Sequence, residues 1–244
     1  MKFIQVKDYK HLSREAADLI INRVRQTPSL KLGLATGETP IETYRLLIDD
    51  HQKNGTSYKQ VKTFNLDEYV GLSGEHEQSY HYFMKKYLFD HIDIPKECTY
   101  IPNGNGQGLA ECNLYEDIIS QHGGIDLQLL GIGRNGHIGF NEPGTSFDSK
   151  THVIDLTPST REANARFFNG IEKVPTKAIT MGISTILQSK EILMIISGES
   201  KREALHNLIH NGIDEAFPAS ALKNHPNVTV IVDEAACGNT RLPN

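Results

Sequence analysis

The run GIGRNGHIGFNEPG, residues 131–144, follows the apolar segment IDLQLL and places His137, Glu142, two asparagines and five glycines within fourteen positions. A histidine and a glutamate five residues apart invite acid–base chemistry, because an imidazole exchanges a proton near neutrality and a carboxylate can orient it and tune its proton affinity. Gly139, Pro143 and Gly144 make a sustained helix improbable here, so the pair is expected in a loop. A histidine satisfied by backbone contacts is the plain alternative. Gly131, Gly133 and Gly136 also satisfy G-x-G-x-x-G, with Asp155 near the offset of a ribose-binding acid. That dinucleotide fingerprint requires a helix starting at its last glycine, which HIGFNEPGTSF does not supply.

Three other segments bear residues of the right kind. In NLDEYVGL, Asp67 and Glu68 close an apolar run, where a carboxylate held in a dry site can act as a general base, although acids at strand ends are usually solvated. In LATGETP, Thr39 is placed to cap a helix beginning at Pro40, and the free N–H groups beside Gly37 suit an anion such as phosphate. Glu38 would repel that anion, so its side chain is expected to face solvent while its backbone binds. In SGESKREA, Ser200 is a candidate cap with Lys201 in the first helical turn, where a cation gains from a bound anion. Arg166, in EANARFFNG, could clamp a phosphate bidentately or pack over Phe167. His206 and His210 have a metal-ligand spacing without an H-E-x-x-H glutamate or an evident third ligand, so they are read as a helix face and no metal site is expected.

Something must hold these loops. Short apolar runs at 31–36, 61–66, 125–132, 152–156, 191–197 and 228–232 read as strands, and the segments 13–26, 41–53, 79–91, 109–120, 177–188 and 200–210 have helical spacing. Their alternation predicts an α/β, Rossmann-like fold with a mostly parallel sheet and helices on both faces. Residues 1–244 contain no repeat, low-complexity tract or long linker and are expected to form a single domain. Ligands of such sheets bind where the strands end, which is where the segments above lie.

Composition narrows the partners. A formal net charge of -5 without like-charge runs argues against nucleic acid or an anionic membrane and favours a small molecule. Cys98, Cys112 and Cys237 form no C-x-x-C pair and leave one thiol over in any disulfide scheme, so a reducing, cytoplasmic setting is expected. The opening MKFIQVKDYK lacks the apolar core of a signal peptide, and the longest apolar run, Ile192 to Ile196, is too short to span a bilayer.

Together the motifs LGLATGETP, TFNLDEYVGL, SYHYFM, IPNGN, LLGIGRNGHIGFNEPGTSF, TREANARFF, VPTKAITMGISTIL, SGESKREA and HPNVTVIVDEAA resemble, in order and over nearly the whole chain, the glucosamine-6-phosphate deaminases. The resemblance implies conversion of D-glucosamine 6-phosphate and water into fructose 6-phosphate and ammonium, in amino-sugar catabolism, without metal or organic cofactor. By similarity Asp67 moves the proton from C2 to C1, and His137 opens the pyranose with Glu142 and Asn135 in support. Thr36, Gly37, Glu38, Thr39, Arg166 and Lys201 would hold the phosphate. Many members carry aspartate in place of Asn135 and glycine in place of Glu38. An amide cannot raise the proton affinity of His137, which leaves that role to Glu142. Some relatives are activated by N-acetylglucosamine 6-phosphate through basic residues on the strand after the catalytic loop. THVIDL offers only His152 there, so activation is expected to be weak or absent, and a homo-oligomer is possible. The competing readings are a 6-phosphogluconolactonase, which needs no base at C2, a sugar-phosphate sensor, which would need a DNA-binding segment, and a dehydrogenase, which would bind a nicotinamide.

Overall fold

The computed structural model describes residues 1–106 and 108–243. In chain order the strands are Lys2–Val6 (β1), Lys31–Leu34 (β2), Lys62–Asn65 (β3), Asp67–Tyr69 (β4), Thr99–Tyr100 (β5), Leu127–Leu130 (β6), His152–Asp155 (β7), Lys177–Thr180 (β8), Glu191–Ile196 (β9) and Val228–Asp233 (β10). The helices are Tyr9–Gln26 (α1), Ile41–Asn54 (α2), Tyr80–Tyr87 (α3), Leu109–Gln121 (α4), Pro158–Phe168 (α5), Ile183–Leu187 (α6), Arg202–His210 (α7) and Glu234–Cys237 (α8). Seven strands make one sheet in the order β1-β10-β9-β6-β2-β3-β5, and every pairing in it is parallel.

Side-chain alternation divides the central strands between two cores, as a sheet covered on both faces requires. Ile192, Met194 and Ile196 of β9 join Tyr115 and Ile119 of α4, Leu205 and Leu208 of α7, and Ala236 of α8. Leu193 and Ile195 face the opposite way, onto Leu12 and Ile20 of α1, Leu47 of α2 and Met84 of α3. This is the α/β architecture that the alternation of apolar runs and helical segments predicts.

Several elements differ from that expectation. Lys2–Val6 is an additional edge strand. Residues 177–188 are not one helix. The segment starts as β8 and becomes the short helix α6 only after Met181 and Gly182. Residues 152–156 do form a strand, β7, but outside the main sheet: β4, β8 and β7 make a separate antiparallel sheet. The apolar content of β8 satisfies helix and strand templates alike, and its pairing with β4 and β7 on both sides decides the outcome.

The order of connections locates the ligand crevice. From β2 the chain moves outward through β3 to β5, then returns to the other side of β2 as β6 and continues through β9 to β10. β2 and β6 are therefore neighbours whose following connections run in opposite directions, and ligands of open parallel sheets bind outside the carboxyl ends of such a strand pair. The loops leaving those ends are residues 35–40 and 131–151, flanked by Asp67 beyond β3 and by residues 197–201 beyond β9.

Candidate active site

The two adjacent acids of NLDEY have opposite fates. Glu68 is buried and fully used: its carboxylate accepts hydrogen bonds from the backbone N–H groups of Tyr69, Tyr80 and His81, and its Oε2 lies 2.9 Å from His81 Nδ1. It thereby serves the orphan N–H groups at the start of α3, alongside the Ser79 cap. Asp67 is also buried, 6% exposed, yet its carboxyl accepts no hydrogen bond from a described residue. Burial and, secondarily, the Glu68 charge raise its pKa well above the usual aspartate range.

Gly139 shows what Asp67 faces. A β-carbon there would fall 2.9 Å from Thr180 Oγ1 and 3.4 Å from Asp67 Oδ2, and the residue has φ of 58°, so a side chain would both strain the loop and press on the acid. The loop after β6 thus passes directly over Asp67. Phe140 N donates to Thr180 Oγ1, and Asn141 Nδ2 donates to the carbonyls of Ile138 and Met181, which ties this part of the loop to the end of β8. Phe140 packs on Tyr69, and Phe168 at the end of α5 meets the same ring edge-on, so a small third core stands under the site.

His137 lies flat against Gly133, where a β-carbon would fall 2.3 Å from its Nδ1, so close an approach only glycine permits. Its Nδ1 is buried without a hydrogen-bond partner among the described residues and stands 3.8 Å from Glu142 Oε2, an ion-pair distance rather than a hydrogen bond. Burial lowers the His137 pKa, Glu142 pulls it upward and Lys201 pushes it down, with burial prevailing. The imidazole is therefore neutral at neutral pH. Glu142, 3% exposed, accepts hydrogen bonds from Asn135 Nδ2 at 3.0 Å, Thr160 Oγ1 at 2.5 Å and Thr157 Oγ1 at 3.2 Å. Asn135 Oδ1 in turn accepts from His137 N. Asn135 thus links the pair through its amide while Glu142 supplies the charge.

Thr157 and Thr160 were not singled out in the sequence, although Thr157-Pro158 is a cap followed by a first-position proline, and Thr157 does cap α5 by accepting from Thr160 N. Arg166 is on the same helix, six residues beyond Thr160 and roughly 9 Å along the axis at 1.5 Å per residue. One helix therefore touches both ends of the crevice.

At the second end the structure corrects two expectations. Thr39 does not cap α2. Pro40 itself occupies the cap position without a side-chain bond, and the Tyr9 hydroxyl accepts from Glu42 N at 3.3 Å while donating to the carbonyls of Glu38 and Thr39. A distant tyrosine does the work assigned to a local threonine. The N–H groups of Gly37, Glu38 and Thr39 donate to no described residue, and Gly37 has φ of 94°, an arrangement suited to an anion. Ser200 does not cap α7 either: Glu199–Lys201 is a separate 3-10 turn, and Lys201 occupies the cap position. The turn at Gly198 is held by Asp233, which accepts from Gly198 N and Ser197 Oγ. Lys201 Nζ reaches back to the Ile132 carbonyl at 2.6 Å, at the root of the His137 loop, and burial lowers its pKa. Arg166 stacks on Phe167 and pairs with Glu38 at 2.6 Å, both side chains being mostly solvent-exposed. Glu38 does face solvent, as expected, with Arg166 beside it.

Two remaining sequence signals fall away from the crevice. Asp155 is on β7, exposed, 3.6 Å from Lys177, and no helix starts at Gly136, so the G-x-G-x-x-G match has neither of its structural partners. The His206 and His210 rings lie 4.5 Å apart on α7, and no third metal ligand stands with them among the described residues.

The fold and the site define an α/β enzyme with a buried acid, an imidazole–carboxylate pair and an adjoining turn of backbone N–H groups suited to an anion, at a topological switch point. The chain belongs to the family of glucosamine-6-phosphate isomerases and 6-phosphogluconolactonases, whose family model matches residues 7–231. A glucosamine-6-phosphate deaminase of Halalkalibacterium halodurans is 56% identical over 97% of this chain and 96% of its own length. A solved structure of a monomeric glucosamine-6-phosphate deaminase superposes with a TM-score of 0.96 at 52% identity, covering 97% of this chain and 99% of that one. The 6-phosphogluconolactonase of Trypanosoma cruzi shares the fold, with a TM-score of 0.80 at 19% identity over 99% of this chain and 97% of that one. No helix among the described residues is long and apolar enough to cross a membrane.

Proposed function

We propose that the chain, acting as a single unit, converts D-glucosamine 6-phosphate and water into fructose 6-phosphate and ammonium. The observation that carries the reading is Asp67: a buried carboxyl without a hydrogen-bond donor among the described residues, faced by the glycine of a loop that also brings His137 and Glu142. Structural carboxylates find partners, as Glu68 does one residue away, so an acid kept dry and unpartnered points to a reacting atom.

The order of steps follows from the substrate's chemistry. A closed amino sugar has no carbonyl, and its C2–H is not acidic. His137, neutral and backed by Glu142, takes the proton of the C1 hydroxyl and returns one to the ring oxygen, which opens the ring to the aldehyde. Asp67 then removes the C2 proton while the carbonyl oxygen O1 takes a proton from the adjacent C2 ammonium, giving an enolamine, and Asp67 delivers the C2 proton to C1. The resulting C2 imine is hydrolysed by water with loss of ammonium. Glu142 offsets the charge that forms on the imidazole, and Asn135, Thr157 and Thr160 hold Glu142 in place. The N–H groups of residues 37–39, with Arg166 and Lys201, receive the phosphate and set the sugar's distance from Asp67.

The test is release of ammonium and fructose 6-phosphate by the purified protein, with 6-phosphogluconolactone hydrolysis measured alongside after subtraction of its spontaneous rate. Equal amounts of the two products, with lactone hydrolysis at background, are expected. Lactone hydrolysis without ammonium would replace the reading, because a lactonase leaves Asp67 with no proton to move.

A further inference from the structure

Glu38 stands inside the loop whose backbone N–H groups are arranged for an anion, and its carboxylate is already on the cation beside them, 2.6 Å from Arg166 Nη2. We propose that Glu38 is an internal competitor for the substrate's phosphate: it occupies Arg166 in the empty site, must be displaced when phosphate arrives, and so sets a low affinity for phosphorylated ligands. This inference rests on the deaminase reading for the identity of the substrate, but not for the existence of the anion pocket.

Three observations support it. The partners are 128 residues apart in sequence and belong to different elements, so helical neighbourhood does not explain the contact. Both side chains are largely in water, 63% exposed for Arg166 and 60% for Glu38, and ion pairs so exposed are weak enough for a dianion to replace one member. Finally, the loop backbone is held from outside the pair, by the Tyr9 hydroxyl on the carbonyls of Glu38 and Thr39 and by the Tyr44 hydroxyl on the carbonyl of Ala35. The Glu38 side chain can therefore swing away without dissolving the anion pocket. Lys201, by contrast, has no carboxylate within ion-pair reach among the described residues and keeps its ammonium on the Ile132 carbonyl. One of the two cations is guarded and the other is not.

Guarding has a predictable kinetic signature. Removing the Glu38 charge frees Arg166 and removes a like charge from the phosphate's surroundings, and both effects act in the same direction. A purely architectural pair, holding α5 against the loop, predicts the opposite sign, because its loss would loosen Arg166.

The experiment is a double-mutant cycle read by calorimetric titration with inorganic phosphate, on the parent protein, Glu38→Gln, Arg166→Gln and the double variant. Glu38→Gln is expected to tighten phosphate about three- to tenfold in the parent background and less than about twofold once Arg166 is glutamine. The KM for glucosamine 6-phosphate should fall with the phosphate Kd. Phosphate binding that is unchanged or weaker in Glu38→Gln overturns the competitor role, as does an equal gain in both backgrounds. Failure of the parent to turn over glucosamine 6-phosphate would overturn the deaminase reading instead, and the phosphate titration would still decide the role of Glu38.

Discussion

The crevice has two ends built on different principles. At the acid–base end, Asp67, Glu142 and the Nδ1 of His137 are buried, and the surrounding loop is tied down by Asn141, by the Thr180 and Thr160 hydroxyls and by the aromatic pad under Phe140. At the proposed anion end, Glu38 and Arg166 meet in solvent beside the backbone N–H groups of residues 37–39, which donate to no described residue. The difference follows from what each end must do. Shifting the proton affinity of a carboxyl requires exclusion of water and tolerates little displacement, whereas a dianion arriving from water needs a charged, accessible landing place. On this account, changes at the buried end should lower kcat, and changes at the exposed end should mainly move KM.

The largest effect belongs to Asp67→Asn. An amide is nearly isosteric but cannot accept the C2 proton, so turnover should fall about 10³- to 10⁴-fold while inorganic phosphate still binds within about twofold of the parent. Stability should move the other way. Because folding raises the Asp67 pKa above its unfolded value, its contribution is fully present at low pH and is lost as pH rises through the folded value. Above the folded-state value the buried charge is a cost that the amide removes. The thermal midpoint should therefore rise by about 2–4 °C per kcal/mol relieved, measured by calorimetry at pH 8, and the gain should shrink as the pH is lowered.

His137→Gln should cost about 10²-fold and leave a residual rate that follows the small fraction of open-chain substrate free in solution. A rate independent of ring opening would separate His137 from the first step. At the anion end, Lys201→Ala, at a half-buried lysine, should raise KM about tenfold, by loss of one charge-assisted contact, with a smaller effect on kcat. A loss confined to kcat would break the division between the two ends. The smallest effect is expected for Thr160→Val, which deletes one hydrogen bond to Glu142 and should lower kcat/KM about five- to tenfold. The variant frees Glu142 to shift, so the imidazole titration of His137, followed by NMR, should change as well. Altered kinetics with an unaltered titration would make Thr160 a packing residue only.

How far the sequence carried differed between the same two ends. The parallel sheet, the strand-end place of Asp67 and the loop setting of His137 and Glu142 were legible because their signals are local: apolar runs of strand length, glycines that forbid a helix, and acids at strand ends. What governs these residues was not legible. Glu68 and Asp67 look alike in the sequence, and only the distant start of α3 decides that one is consumed by backbone N–H groups. Thr39 and Ser200 satisfy the composition of a cap, yet Tyr9 reaches the start of α2 from thirty residues away, and a 3-10 turn takes the place of the first turn of α7. Thr160 becomes part of the site only because α5 folds over the loop. Residues 177–188 looked helical because short apolar runs fit either period, and the antiparallel partners that make β8 a strand are remote in the chain.

The central claim is that Asp67 moves the C2 proton. Its most direct test follows ammonium release from glucosamine 6-phosphate by the parent and by Asp67→Asn, together with the departure of deuterium from C2 of labelled substrate, to C1 of the product or to water, and phosphate binding on the same samples. The account predicts that in the parent ammonium release and departure of deuterium from C2 occur together, and that Asp67→Asn binds phosphate but does neither. Departure of deuterium from C2 at the parental rate in Asp67→Asn would contradict it.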